Sequence, residues 1–300
     1  MKFTFIKQNE SEFPVTTLCE MMNVARSSYY AYLKRATKAP SQRQQRNEEL
    51  LEKIRIIFET SKKRYGSPRI HATLLQQGER CSLGRVKRLM RKAGLYAVSG
   101  KKFKPKTERK DKLETKNLLL EQEVRPTAIN QVWHTDITYI PTDEGWLYLA
   151  GVMDGFSKRL VGYAMDDNMK TDLVLQALHS AVTRREPQEG LIHHSDKGSQ
   201  YTSYQYQREL QNQGMLASFT GTGACLDNAV MESFWASLKK ELVYPNEAFK
   251  TKDEARLAIF EYIEVFYNRE RLHSSLLYKT PAGFELSQQI QSAAATQVAV

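Results

Sequence analysis

The run Val132-Trp133-His134-Thr135-Asp136-Ile137-Thr138-Tyr139-Ile140 decides the fold of this 300-residue chain. Its β-branched and aromatic residues predict a strand with Asp136 in the middle. Two more strand-like runs follow, at residues 146–153 and 159–165. Turn residues separate the three runs, including Asp154, which precedes a glycine and is interpreted as a hairpin residue. The pattern predicts three antiparallel strands in a meander.

Helices and strands alternate after the meander. Amphipathic helices are predicted over residues 171–184 and 204–213, with short strands at 190–194 and 215–219. Two further helices are predicted, one carrying Glu232 and one over residues 251–267. This order predicts an α/β domain with a mixed five-stranded sheet and flanking helices, which is the ribonuclease-H-like arrangement.

Three carboxylates fall on three different predicted elements. Asp136 is mid-strand, Asp196 lies just past the carboxyl end of the fourth strand, and Glu232 lies in a helix with 35 residues between it and Asp196. Such groups converge only by folding, and they repel one another unless cations hold them. Taken singly, each acid is a solvated residue or a turn former. Together they predict a site for two Mg²⁺ or Mn²⁺ ions that acts on phosphodiesters.

The helix that carries Glu232 also places two polar side chains on the face of that glutamate. Asn228 precedes Glu232 by one turn, and Lys239 follows it by about two turns. We predict that both contact DNA next to the metal site. Asp227 is the predicted N-cap of the helix.

The histidines near the acids are not predicted to bind metal. His134 shares a strand face with Asp136, and it can either approach the site or pack. His193 and His194 precede Asp196, and only one of the two can face the site. No further His or Cys stands at zinc spacing.

Charge divides the chain into a basic and an acidic part. Residues 1–125 carry 29 Lys and Arg against 13 Asp and Glu, whereas residues 126–300 carry 15 against 21. The whole chain has a net charge of +10. The excess at the N-terminal side indicates a polyanionic partner, although solvated helices with spare Lys and Arg are the simpler alternative.

Helical patterns fill the basic part. Two short helices between residues 15 and 35 suit a helix-turn-helix, and residues 47–61 predict a third helix. Ser82 is the predicted cap of a strongly basic helix that ends near Gly94. Its cations are predicted to contact DNA, the alternative being a solvated face; they are Arg85, Lys87, Arg88, Arg91 and Lys92.

These patterns predict five segments. They are a helix-turn-helix-like segment (1–45), a second helical DNA-binding domain (46–98), a basic linker (99–125), a ribonuclease-H-like catalytic core (126–286) and a flexible tail (287–300). Three widely separated cysteines exclude a disulfide framework, and no apolar run has the length of a bilayer. We therefore expect a cytoplasmic, DNA-associated protein without a membrane segment.

Four stretches resemble a known family. They are residues 130–139, residues 193–201, Asp227-Asn228-Ala229-Val230-Met231-Glu232-Ser233-Phe234, and residues 267–274. The chain resembles the OrfB-type transposases of the IS3 family of bacterial insertion sequences, whose catalytic domain is similar to retroviral integrases. Residues 64–71, which include Arg69, resemble the helical DNA-binding segment of that family.

The resemblance covers nearly the whole chain and implies a function. It implies Asp136, Asp196 and Glu232 as the catalytic triad, divalent metal dependence, and DNA strand cleavage and transfer at element ends. It also implies double-stranded DNA, further copies of the chain and the OrfA product of the element as partners, and Arg69 as a DNA contact. The alternatives are a DNA-binding regulator with a silent integrase-like domain and a nuclease without strand transfer.

Overall fold

The computed structural model describes residues 1–36, 41–98, 116–220, 228–246 and 249–298 of the chain. Two expectations lie outside the described residues. They are the part of the predicted linker from residue 99 to residue 115 and the predicted N-cap Asp227.

The sheet has the predicted strands. They are β1 (Val132–Thr142), β2 (Gly145–Asp154), β3 (Leu160–Asp166), β4 (Ile192–Ser195) and β5 (Leu216–Phe219). Their order is β3-β2-β1-β4-β5. The first three strands pair antiparallel, and β4 joins β1 and β5 in parallel. The ribonuclease-H-like mixed sheet is therefore confirmed, and β1 lies at its centre.

Helices cover both faces of the sheet. Helices α8 (Thr171–Arg185) and α9 (Tyr204–Asn212) pack on one face, in a core that includes Trp133. Helices α10 (Ala229–Leu238) and α11 (Lys252–Phe260) share the other core with β1 and β2. Helix α8 approaches β3 closely because Gly162 has no side chain; a Cβ there would lie 2.5 Å from the backbone oxygen of Ala177.

Two helices end in π-helical segments rather than in the regular turns expected from the sequence. Helix α10 continues as Lys239–Val243, and α11 continues as Glu261–Tyr267. Each π segment turns buried side chains toward the other, and the Tyr262 hydroxyl donates to Glu241 at 2.9 Å. The four-residue spacing of apolar residues does not reveal the change from α-helix to π-helix, because the contacts that favour it join residues distant in sequence.

The N-terminal part contains six helices among the residues described. They are α1 (Lys2–Asn9), α2 (Val15–Met21), α3 (Arg26–Ala36), α4 (Gln42–Thr60), α5 (Ser67–Gln76) and α6 (Leu83–Lys92). Helix α1 was not predicted; it buries only Ile6, in a small core with Leu18 and Tyr29. Helix α4 begins five residues earlier than predicted because Ser41 and Gln44 form a capping box. The predicted cap Ser82 is confirmed.

The C-terminal residues form a helix where a flexible tail was expected. Helix α12 spans Pro281–Val298. Much earlier in the chain, the short helix α7 (Leu118–Glu121) contacts the edge strand β5. Glu285 anchors α12, because its carboxylate is buried against Arg159, Arg185 and the hydroxyl of Ser157. Alanine-rich sequence favours the helix from there onward.

The helices at residues 41–98 pack against the catalytic core. One hydrophobic cluster contains residues of α4 to α6 together with residues of α10 and α11. The Tyr65 hydroxyl donates to the backbone oxygen of Glu270 and accepts from the nitrogen of Leu272. No helix among the residues described is long and apolar enough to span a membrane.

Candidate active site

Asp136 occupies the central strand, with its side chain toward α10. Its Oδ1 accepts a hydrogen bond from the Ile137 backbone nitrogen at 2.8 Å, and its Oδ2 accepts one from Trp235 Nε1 at 3.0 Å. Each carboxylate oxygen carries a second lone pair. The two hydrogen bonds therefore fix the orientation of Asp136, and each oxygen still has a lone pair that can bind a cation.

Asp196 lies beside Asp136 at the end of the neighbouring strand. Strand β4 pairs with β1 in parallel, with His194 opposite His134, and continuation of that register by two residues leads to Asp196 and Asp136. The Asp196 side chain is exposed, and its Oδ1 accepts from the Gly198 nitrogen at 3.0 Å. The carboxyl ends of parallel strands are where such sheets place their sites.

Glu232 comes from the first turn of α10 and is exposed. Helix α10 lies against β1, because Trp235 bonds to Asp136 and the Asn228 amide donates to the Thr135 backbone oxygen at 3.1 Å. The helix therefore brings Glu232 to the side of the sheet on which Asp136 lies.

The electrostatics show that the three acids share one neighbourhood. Burial, the charge of Asp196 and, more weakly, the charge of Glu232 together raise the pKa of Asp136 to about 7, while the two hydrogen bonds lower it. Among the residues described, no three His, Cys, Asp or Glu side chains lie close enough to form a metal cluster. The carboxylate oxygens are donors that suit a hard cation.

Lys239 lies near the acids as predicted. Its Nζ stands 4.8 Å from the centre of the Tyr139 ring. Burial lowers the pKa of Lys239, and the charge of Asp136 opposes that effect. The structure thus brings a cation to the edge of the acidic group.

Asn228 is buried, although the sequence placed it on an exposed DNA-facing surface. Only 7% of the residue is accessible. It shares a helix face with Glu232 as expected, but this face turns onto β1 at the start of the helix. Its amide holds the Thr135 carbonyl, so it fixes α10 beside Asp136.

The predicted DNA contacts of α6 lie on a separate surface. Lys87, Arg88, Arg91 and Lys92 are exposed. Arg85 is partly buried, and its Nε donates to Asn47 Oδ1 at 2.8 Å, so it joins α6 to α4. The four exposed cations are accessible to a partner, whereas the hydrogen bond of Arg85 to Asn47 holds two helices together.

Arg69 lies at the junction of the helical part and the catalytic core rather than with the cations of α6. Its Nε donates to the Leu272 oxygen at 2.9 Å, and its Nη1 lies 3.5 Å from Glu241 Oε1. This side chain holds α5 against the segment that follows α11.

The histidines near the acids pack against neighbouring side chains. His193 bonds to the Tyr206 hydroxyl at 3.2 Å, and His194 bonds to Ser218 at 3.0 Å. Burial lowers the pKa of His134 to about 3, with a smaller contribution from His194. Asp154 is the predicted turn residue: its carboxylate accepts from the nitrogens of Phe156 and Ser157.

Sequence reasoning missed Trp235 and Gly151. Trp235 follows Glu232 by three residues, a helical spacing that could have revealed a shared face. Gly151 pairs with Asp136 across β1 and β2, and a Cβ there would lie 3.0 Å from the Trp235 ring. The missing side chain makes room for the indole that bonds Asp136.

Models of known domains match most of the chain. An HTH-like domain matches residues 45–103, and integrase core domains match residues 126–225 and 232–288. Among solved structures, the HTLV-2 integrase catalytic core domain in complex with magnesium has a TM-score of 0.41 and 15% identity, over 54% of this chain and 99% of that one.

Two curated relatives extend over nearly the full length. The insertion element IS600 uncharacterized 31 kDa protein of Shigella sonnei is 40% identical over 267 residues, which cover 89% of this chain and 97% of the relative. Transposase InsF for insertion sequence IS3A of Escherichia coli K12 is 39% identical over 285 residues, which cover 95% of this chain and 98% of the relative. Together with the integrase core and HTH-like matches, this similarity shows that the chain belongs to the IS3 family of insertion-sequence transposases.

Proposed function

We propose that Asp136, Asp196 and Glu232 are the catalytic carboxylates of this transposase and that they hold two Mg²⁺ or Mn²⁺ ions. The observation that carries the proposal is the strand register that leads Asp196 to the side of Asp136, together with the Trp235 bond that brings the helix of Glu232 to the same strand. Bound there, divalent cations would activate the attacking water or 3′-hydroxyl and would stabilise the leaving 3′-oxygen. The substrate is the phosphodiester bond at an element end, and strand transfer to target DNA follows cleavage.

The residues of the chain have distinct tasks in this proposal. Asp136 supplies a fixed carboxylate because β1 and Trp235 orient it. Asp196 and Glu232 are exposed, and they supply the other two metal-binding carboxylates from the side that is open to DNA.

Lys239 supplies positive charge beside the reacting phosphate. It lies near Asp136, and since no acid among the described residues forms an ion pair with it, its ammonium group is available to an anion. The exposed cations of α6 bind the phosphate backbone at a distance from the reaction. A second copy of the chain and the OrfA product are the further partners that we propose.

Replacement of one metal ligand tests this function. Full-length Asp196→Asn, incubated with Mg²⁺ and an element-end duplex, should lose cleavage by several orders of magnitude while it keeps its affinity for the duplex. Asp172→Asn, an exposed acid on α8, is the matched control and should cleave normally. Full cleavage by Asp196→Asn would show that these carboxylates do not act, whereas absence of cleavage by the wild type is the outcome expected of a DNA-binding regulator with a silent domain.

A further inference from the structure

A basic cleft lies between α5, α10 and the segment after α11. It consists of two cavities of about 560 Å³ and 310 Å³. Both are lined by Arg69, Ser233, Ser237, Arg271 and Ser274. The two cavities therefore form one continuous feature, which we call the α10 cleft.

Cations outnumber acids in the lining of the α10 cleft. The cations are Arg64, Arg69, Lys158, Lys240 and Arg271. Among the described lining residues, Glu241 is the one acid. Unpaired cations in a partly desolvated cleft raise the free energy of the folded protein. A bound anion would lower it.

Glu241 is already fully engaged. Arg271 donates to both of its carboxylate oxygens, at 2.7 Å and 2.9 Å, and the Tyr262 hydroxyl donates at 2.9 Å. Arg69 approaches the same carboxylate at 3.5 Å. Glu241 thus neutralises the charge of Arg271 well and the charge of Arg69 only weakly.

Arg64 and Lys240 remain available to a ligand. The Arg64 guanidinium lies over the Phe266 ring, 4.5 Å from its centre, and its Nε donates to the backbone oxygen of Glu241. Its terminal nitrogens have no hydrogen bond to another described residue. Lys240 is exposed at the mouth of the cleft and forms no ion pair within the part of the chain that the structure describes. An oxyanion could therefore bind both side chains.

Hydroxyl groups complete the lining. Ser237 accepts a hydrogen bond from Arg271 Nη2 at 3.0 Å, so its own proton can be donated into the cleft. Ser233 and Ser274 are exposed at the opening. Guanidinium, ammonium and hydroxyl donors are the groups that contact DNA phosphates.

The α10 cleft adjoins the proposed catalytic site. Ser233 directly follows Glu232, and Ser237 lies five residues after Glu232 on a helix. Along the helix axis this is about 7.5 Å, close to two nucleotide steps of about 3.4 Å, and Ser237 lies about 140° around the helix from Glu232, so the cleft opens on the neighbouring flank of α10. A DNA strand that reaches Glu232 can continue across exposed Ser233, which lines both cavities, into the cleft.

We propose that the α10 cleft binds the phosphodiester backbone of the element-end strand about two nucleotides from the reacting bond. The proposal rests on the proposed function, since it assumes that this strand reaches Glu232. It also assigns a second role to Arg69 and Arg271, which join the helical part to the catalytic core and present their remaining donors to the phosphate.

The test measures binding of an element-end duplex by the full-length protein at several salt concentrations, without divalent cations. Lys240→Gln should reduce the slope of log affinity against log salt by about 0.9, the value for one lost phosphate contact. Lys250→Gln, an exposed lysine outside the cleft, is the matched control and should keep the wild-type slope. Equal slopes for Lys240→Gln and the wild type would overturn the proposal.

A second arm locates the contact. Duplexes carry one neutral methylphosphonate at a time, at each of the five positions next to the cleavage site. The wild type should lose affinity at one or two positions, and Lys240→Gln should show no further loss there because the contact is already absent. Additive losses at every position would contradict the assignment. Cleavage by Asp196→Asn in a separate reaction with Mg²⁺ would refute the proposed function while these binding results still decide on the cleft.

Discussion

The indole nitrogen of Trp235 donates a hydrogen bond to the carboxylate of Asp136 at 3.0 Å. This bond joins the helix that carries Glu232 to the strand that carries Asp136. It forms because Gly151, the partner of Asp136 on β2, leaves room for the ring. The geometry of the proposed metal site therefore depends on a tryptophan that need not contact metal or DNA.

Trp235→Phe should slow cleavage by about tenfold or more, since a hydrogen bond to a charged group contributes about 1.5–3 kcal/mol. The bond lowers the pKa of Asp136, so its loss should also move the acid limb of the pH–rate profile to higher pH. Single-turnover cleavage between pH 6 and pH 9 measures both effects. Trp146→Phe is the same substitution at an exposed indole and should change neither; an unshifted profile for Trp235→Phe would count against the positioning role.

Gly151→Ala should impair cleavage through displacement of Trp235. The new methyl group would meet the Trp235 ring at 3.0 Å and the side chains of Leu160 and Met231 at 3.2 Å. Such overpacking costs about 1–3 kcal/mol of unfolding free energy. Urea unfolding and cleavage assays measure the two losses. Gly84→Ala adds a methyl group in open space on α6 and should be stabilising; wild-type cleavage by Gly151→Ala would contradict the account.

Asp136→Asn should make the metal-free protein more stable at pH 8. The pKa of Asp136 rises from its ordinary 3.8 to about 7 on folding, so the folded state favours the protonated acid. The resulting stability is complete below pH 3.8 and disappears as the pH rises through 7. The neutral amide avoids that loss, and we expect its Tm advantage to exceed about 2 °C at pH 8 and to shrink toward pH 5.

Mg²⁺ provides the companion measurement to that pH series. It should raise the Tm of the wild type more than that of Asp136→Asn, because cations that bind only the folded state stabilise it. The same Mg²⁺-induced change in both proteins, or the same pH dependence in both, would exclude Asp136 as a metal ligand of the kind proposed.

Glu241→Gln should destabilise the junction between the helical part and the catalytic core. The change leaves buried Arg271 without its carboxylate, which typically costs about 3–5 kcal/mol. Glu261→Gln removes an exposed ion pair with Lys62 across the same junction and should have little effect. Chemical denaturation compares the two variants. Similar small losses would show that the buried network does not hold the parts together.

The sequence predicted the elements that carry the proposed catalytic acids. Strand alternation around Asp136 and the apolar run before Asp196 are local patterns, and the sheet order follows once three antiparallel strands precede two parallel ones. The strand directions then bring Asp196 to the end of β4 beside Asp136. This part of the site was predictable because each step depends on neighbouring residues.

The sequence did not predict features that depend on distant pairs. Asn228 shares the face of Glu232, but its burial follows from the contact of α10 with Thr135 on β1. The docking of α12 depends on Glu285 meeting Arg159 and Arg185, which lie more than 90 residues away. Helical periodicity shows that a face exists and leaves open which surface covers it.

Single-turnover cleavage by Glu232→Gln tests the convergence of the three acids most directly, because Glu232 is the one of the three that reaches the site from a helix rather than from the sheet. Full-length protein is incubated with Mg²⁺ and an element-end duplex, and Glu189→Gln, an exposed acid away from α10, is the control. We predict that Glu232→Gln binds the duplex normally and loses at least about 10³-fold in cleavage rate, while Glu189→Gln cleaves like the wild type. Cleavage by Glu232→Gln at the wild-type rate would contradict the account.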